Sequence, residues 1–150
     1  MARIYLDDVR TPTEKGWTVV RSFEEFVKKV EEIGLKSIEL ISLDHDLGES
    51  AMWEYHNNVS PNYTLNYGNI KEKTGYDCAK WLVEKFYEEN PDWRKNPRDV
   101  KRAKVFPFPK VYTHSANPIG SANIIGYINN FLMNEAQPKT CASITVKHTV

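Results

Sequence analysis

Twice in this chain a β-prone apolar run stops abruptly on carboxylates. Ile4-Tyr5-Leu6 runs into Asp7-Asp8, and Ile41-Ser42-Leu43 runs into Asp44-His45-Asp46 before Leu47-Gly48. Charged groups of this kind do not stay inside a buried sheet, so both strands are expected to end at one edge. In open α/β sheets, ligands bind in the crevice beyond the carboxyl ends of the strands. A third run, Val111-Tyr112-Thr113, leads into His114-Ser115-Ala116-Asn117-Pro118 in the same way. One sheet edge is therefore expected to carry Asp7, Asp8, Asp44, His45, Asp46, His114 and Ser115. That mixture of acids, imidazoles and a hydroxyl points to chemistry on phosphate.

At 150 residues the chain has the usual size of one domain with a normal core. Its 20 basic and 20 acidic side chains cancel, so no global field favours nucleic acid or an anionic membrane, and phosphate recognition must be local. Cys78 and Cys141 have neither metal-ligand spacing nor a disulfide framework, which suits a reducing compartment, and both read as small core residues. Arg3, Asp7, Asp8 and Arg10 near the start are incompatible with a secretory or membrane segment. A soluble, cytoplasmic protein is expected.

Residues 3–8 read as a first buried strand, 9–16 as turn chemistry and 17–21 as a short second strand. Ser22 with Glu25 forms a capping box ahead of Phe23, Phe26, Val27, Val30 and Ile33 at helical spacing, until Gly34. Residues 37–43 form the central strand. From 49 to 73 the periodicity disappears into aromatic and asparagine residues. A structureless loop this long is uncommon in a compact domain and usually functional, so the segment reads as a lid or specificity insert, with a disordered insertion as the plainer alternative. Thr74 with Asp77 caps another helix, whose apolar face is Tyr76, Ala79, Trp81, Leu82, Phe86 and Tyr87, ending at Asn90-Pro91. Residues 92–104 are polar and basic and read as a solvated loop rather than an RNA-contacting patch. A strand at 110–113 precedes a long helix opened by Asn117-Pro118, and Ile144-Thr145-Val146 is expected to be a last strand. The pattern is α/β, with one poor joint. A parallel crossover normally takes a dozen or more residues, and eight separate the first two expected strands, so the first crossover helix is expected to be reduced or the second strand irregular.

With these motifs in view, the chain resembles the receiver-fold superfamily of two-component signalling, and within it the divergent cyclic-phosphate-processing receiver-like branch. The resemblance rests on Leu6-Asp7-Asp8-Val9-Arg10-Thr11-Pro12, Ser42-Leu43-Asp44-His45-Asp46-Leu47-Gly48, Thr74-Gly75-Tyr76-Asp77 with Trp81-Leu82, and His114-Ser115-Ala116-Asn117-Pro118-Ile119-Gly120. It implies a flavodoxin-like three-layer sandwich around a mostly parallel five-stranded sheet, and it leaves the long insert at 49–73 after the third strand unmatched. It also implies action on cyclic or terminal phosphates of nucleotides or RNA ends. Asp7-Asp8 matches the acidic pair of receivers and Asp44 their phospho-accepting aspartate. Ser115, with Thr113 as the alternative, matches the Ser/Thr after the fourth strand, and Lys147 the lysine after the fifth. His45 and His114 depart from phospho-relay receivers and argue for hydrolysis.

Opening a cyclic phosphate takes a base to activate water and an acid to protonate the departing oxygen. Imidazoles titrate near neutrality, so His45 and His114 are the expected pair. Asp7, Asp8 and Asp44 then become expected ligands of Mg²⁺ or Mn²⁺, which would also keep the acidic cluster from repelling an anionic substrate. Ser115, Asn117 at the start of the last long helix, Arg10 and Lys147 are the expected phosphate-binding residues. The plainer readings are that Asp46 only turns the chain and that Arg10 only pairs with Asp7 or Asp8. Two other functions fit the same residues. One is a pseudo-receiver that switches a protein partner, with Asp44 phosphorylated or structural and the helix from Asn117 as its surface. The other is an aspartyl-phosphate phosphatase using Asp44 and Asp46 as a D-x-D pair.

Overall fold

The computed structural model describes residues 1–91 and 106–136. Four strands, β1 (Ala2–Leu6), β2 (Thr18–Val20), β3 (Ile38–Leu43) and β4 (Lys110–Thr113), form one parallel sheet in the order β2-β1-β3-β4. Strand β1 lies inside the sheet with its sequence neighbour on one side and β3 on the other, as in a flavodoxin-like fold. The strand expected at 144–146, Lys147, Cys141 and the basic segment 92–104 lie outside the described residues.

Register aligns the strand tips. Leu6 pairs with Leu43, and Leu43 with Thr113. The ladder runs one step further, with Asp44 N–H donating to the Leu6 carbonyl at 3.0 Å and His114 N–H to the Leu43 carbonyl at 3.1 Å. Asp7, Asp44 and His114, 107 positions apart at the extremes, are thereby level across three neighbouring strands.

Helix α1 (Phe23–Ile33) starts at Ser22, whose Oγ accepts from Glu25 N–H at 3.1 Å. Helix α3 (Gly75–Glu89) starts at the Thr74/Asp77 capping box, and α4 (Pro118–Ala136) follows β4. Between β3 and α3, helix α2 (Glu49–Glu54) continues through a wide turn at Tyr55–Val59 to Ser60–Asn62. Helices α1 and α4 each pack on α3, and they close one core over Ile4, Leu6, Ile41 and Leu43 with Phe26, Leu82, Phe86 and Ile124, none of them exposed. Side chains alternate across a strand, so Tyr5 and Ser42 point to the opposite face. Among the described residues no helix packs there, because the link that would supply one is the loop 7–17. That loop is tied down by Arg21, which donates to the carbonyls of Asp7 at 3.1 Å and Arg10 at 2.7 Å and to Thr11 Oγ1 at 2.8 Å. Eleven residues thus suffice for a parallel crossover because a guanidinium holds the loop in place of a helix. Among the described residues no helix is long and apolar enough to cross a membrane.

The segment after β3 corrects the expectation of an irregular insert. Its helix lacks apolar periodicity because its inward group is Glu54, fully buried, which accepts from Asn58 Nδ2 at 2.9 Å, Asn66 N–H at 2.8 Å and Asn69 Nδ2 at 2.7 Å. The other end is clamped by Glu72, which accepts from Ala51 N–H at 2.7 Å and from Ser50 Oγ. Carboxylates satisfied by amides, in place of an apolar stripe, organise this segment.

Candidate functional site

The site is built from the first residues past the strand tips. Asp7 has no exposed surface, and both its oxygens are occupied. Oδ1 accepts from the N–H groups of Val9 at 3.0 Å and Arg10 at 2.7 Å, while Oδ2 accepts from Arg10 Nε at 2.8 Å and faces His114 Nε2 at 3.1 Å. Burial pushes the Asp7 carboxyl up, but the Arg10 and Val9 amides and the guanidinium outweigh it and hold the pKa below the ordinary range. Asp8 is partly exposed, and burial and the Asp7 charge raise its pKa.

Asp44 is 6% exposed. Its Oδ1 accepts from His45 N–H at 2.8 Å, and its Oδ2 lies 3.7 Å from Arg10 Nη2. Burial first, then the neighbouring Asp7 charge, push its pKa up to about 6 against the pull of Ser115, Arg10 and the His45 amide. Asp7, Asp8 and Asp44 each bring a carboxylate oxygen to within 4.8 Å of the others. Asp8 and Asp44 are raised first by burial and then by the Asp7 charge, which Arg10 offsets only in part. Hard oxygen donors short of positive charge fit Mg²⁺ or Mn²⁺. Asp8 has no side-chain donor among the described residues and is the most available ligand. Asp7, already engaged by four donors, is the least.

A cleft of about 160 Å³ opens beside the cluster. Its polar lining residues are Asp8, Arg10, Asp44, Asp46 and Ser115, and its apolar ones Val9, Met52, Tyr55 and Ala116. Ser115 sits between the two functions expected of it, since its Oγ bonds Asp44 and also accepts from Asn117 N–H at 3.0 Å.

The two imidazoles are not brought together. His114 stacks on Tyr5, with ring centroids 4.1 Å apart, on the sheet face that carries no helix. Its Nδ1 lies 2.8 Å from Ser42 Oγ and its Nε2 faces Asp7. Burial lowers its pKa more than Asp7 raises it, so the neutral ring donates from Nε2 to Asp7 and accepts at Nδ1 from Ser42. His45 is turned under α4 and fully buried. Its Nδ1 lies 2.7 Å from Asp46 Oδ1 and its Nε2 2.9 Å from the Tyr67 hydroxyl, which accepts from Asn123 Nδ2 at 3.0 Å. The expected acid/base pair is therefore divided between opposite sides of the strand tips, and both nitrogens of each ring are engaged.

Asn117 is also not open to a phosphate. It is fully buried, its Oδ1 accepting from Gly120 N–H at 2.9 Å and its Nδ2 donating to Asp46 at 3.2 Å. It caps α4 and holds Asp46, which is 5% exposed and occupied by both His45 and Asn117. Arg10 takes the plainer of its two expected roles, the ion pair with Asp7, and also lines the cleft, where its side chain is 51% exposed.

Arg21, Tyr67 and Asn123 support the site without any motif to announce them, and Ser42 supports it from within a motif that assigned it no role. Strand alternation does carry a signal for the histidines. Tyr5, Asp7, Ser42, Asp44, Tyr112 and His114 share one parity along their strands, and His45 has the other.

No curated protein matches the chain. No solved structure matches it either. The sequence model of the cyclic-phosphate processing receiver domain matches residues 2–130, which takes in the whole acidic cluster, the insert and most of α4. With its parallel sheet and level strand tips, the chain belongs to the family of cyclic-phosphate processing receiver domains.

Proposed function

We propose that the protein is a metal-assisted phosphoesterase acting on a cyclic or terminal phosphate of a nucleotide or RNA end. The observation that carries this reading is the convergence of Asp7, Asp8 and Asp44 within 4.8 Å, beside a cleft that also presents Arg10 and Ser115. Asp8 and Asp44 hold a divalent ion, with Asp7 completing its charge. Such an ion supplies Lewis acidity and a bound water of lowered pKa. Arg10 offers its outer nitrogens to a phosphoryl oxygen and carries charge that develops there. Ser115 Oγ, already at Asp44, orients a second oxygen. Because neither imidazole has a free nitrogen, both are positioning residues in this reading. His114 holds Asp7, and His45 holds Asp44 through its backbone N–H and Asp46 through its ring.

With Mg²⁺ or Mn²⁺ present, a 2′,3′-cyclic nucleotide is expected to open to a phosphomonoester. Asp8→Asn and Asp44→Asn are each expected to lower the rate by about 100-fold or more while the circular dichroism stays native. His114→Ala is expected to act mainly by lowering the apparent affinity for the metal, so that half-maximal rate takes more Mg²⁺ or Mn²⁺. Turnover that survives both aspartate substitutions, or no turnover of any cyclic or terminal phosphate, removes the proposal.

One observation favours a second reading. Asp44 stands at the β3 tip with Oδ1 pinned and Oδ2 turned to Arg10, where the receiver resemblance puts a phospho-acceptor. A stable mass gain of one phosphoryl group after incubation with Mg²⁺ and a small phosphodonor, absent in Asp44→Asn, would favour that switch over hydrolysis.

A further inference from the structure

The cleft beside the acidic cluster is lined by both polar and apolar side chains, and the insert supplies two of the apolar ones, Met52 and Tyr55. Met52 and Tyr55 lie three positions apart and so share one face of the helical segment that begins at Glu49. They line the same cleft as Arg10, Asp44 and Ser115. Met52 is 40% exposed, so it presents its thioether to the opening rather than to the core. The adjacent side of this helix is anchored by fully buried Ala51, one turn before Tyr55, and Glu54, and its first turn by Glu72. The pair is therefore a rigid surface, held at a set distance from the carboxylates.

We infer that Tyr55, with Met52 beside it, is the platform on which the base of a nucleoside phosphate stacks while the phosphate meets Arg10, Ser115 and the acidic cluster. This rests on the phosphoesterase reading and names the residues by which that site selects nucleotides over sugar or polyol phosphates. A ligand spanning the cleft must be anionic at one end and flat and apolar at the other. A nucleoside phosphate has that form, and a polyol ester would leave its hydroxyls against Tyr55, Met52, Val9 and Ala116. Thioether and phenol surfaces favour π-faces. The cleft, at about 160 Å³, is below the usual range of about 300–1,000 Å³ for enclosed ligand pockets, so a nucleoside bound there remains partly in solvent. The pair offers few groups able to read a base edge, so stacking there discriminates weakly among bases.

The test compares adenosine and cytidine 2′,3′-cyclic phosphates with the same ring ester on a base-free methyl riboside, using the full chain with Mn²⁺. For the wild type, kcat/KM is expected to be roughly tenfold or more higher on the nucleotides, through KM, with the two bases within a few-fold of each other. Tyr55→Ala and Met52→Ala, which place a good helix former in a helical segment, are expected to collapse that ratio towards one, and Tyr55→Phe to preserve it. Equal efficiency on the nucleotide and base-free esters, with a ratio that Tyr55→Ala leaves unmoved, overturns the platform while the phosphoesterase stands. No turnover of any of the esters overturns the phosphoesterase reading, and calorimetric binding of AMP with Mn²⁺ then judges the platform alone. Loss of that binding in Tyr55→Ala supports it, and unchanged or absent wild-type binding overturns it.

Discussion

Asp44 shows how a single residue is made costly for the sake of a site. Its carboxyl, pushed up to about 6 by burial and by Asp7, lies above its ordinary 3.8. The folded state then holds more protons than the unfolded one between these values, so stability falls as pH rises through that window. Asp44→Asn is accordingly expected to stabilise the metal-free protein at pH 7, by at most ~3 kcal/mol, and to have little effect near pH 3. Thermal melts at both values check this. Added Mg²⁺ is expected to reverse the order at pH 7, because only the wild type retains the full ligand set. Melting that is higher in the wild type without metal would contradict it.

Among the elements, the insert is the one whose logic is least apparent from the chain. Glu54 is buried without a cation, and its three donors hold its pKa below the ordinary value even though burial alone would raise it. The sign is opposite to that of Asp44. Its contribution to stability is complete above the ordinary glutamate range and is lost as pH falls through the lowered folded value. Glu54→Ala is expected to cost about 2–3 kcal/mol, since it strands buried donors. Limited proteolysis near residues 55–70 should report the loosening before global melting does. The α1 and α3 starts were readable because N-cap signals are local, although only Thr74/Asp77 closes a full capping box, Glu25 accepting from Arg21 N–H in place of Ser22. The α2 start was not, because its N–H groups are met by Glu72, 21 residues away from Ala51, and its buried face, one alanine and the polar Glu54, is too short to register as apolar periodicity.

At the scale of the whole molecule, α3 and α4 are pressed onto the strand tips at two glycines. A methyl group at Gly75 would overlap the Asp44 carbonyl oxygen, and one at Gly120 would overlap the His45 ring. Neither glycine has the positive φ that would by itself call for the residue, so close approach of the layers is the reason. Gly120→Ala is expected to destabilise by about 1–3 kcal/mol, and to lower cyclic-nucleotide turnover by shifting Asp46 and Asp44. Equal melting temperatures would show that the layers have room to separate. What the chain alone settled was the parallel α/β plan and the gathering of Asp7, Asp8, Asp44 and Ser115 at one edge, since an apolar run that ends on charge must leave the core there. What only the tertiary structure decided was which side of that edge each imidazole takes, that Asn117 is spent on a helix cap, and that the insert closes the cleft with Met52 and Tyr55. Those outcomes depend on contacts between residues far apart in sequence, and no local pattern encodes a distance across the fold.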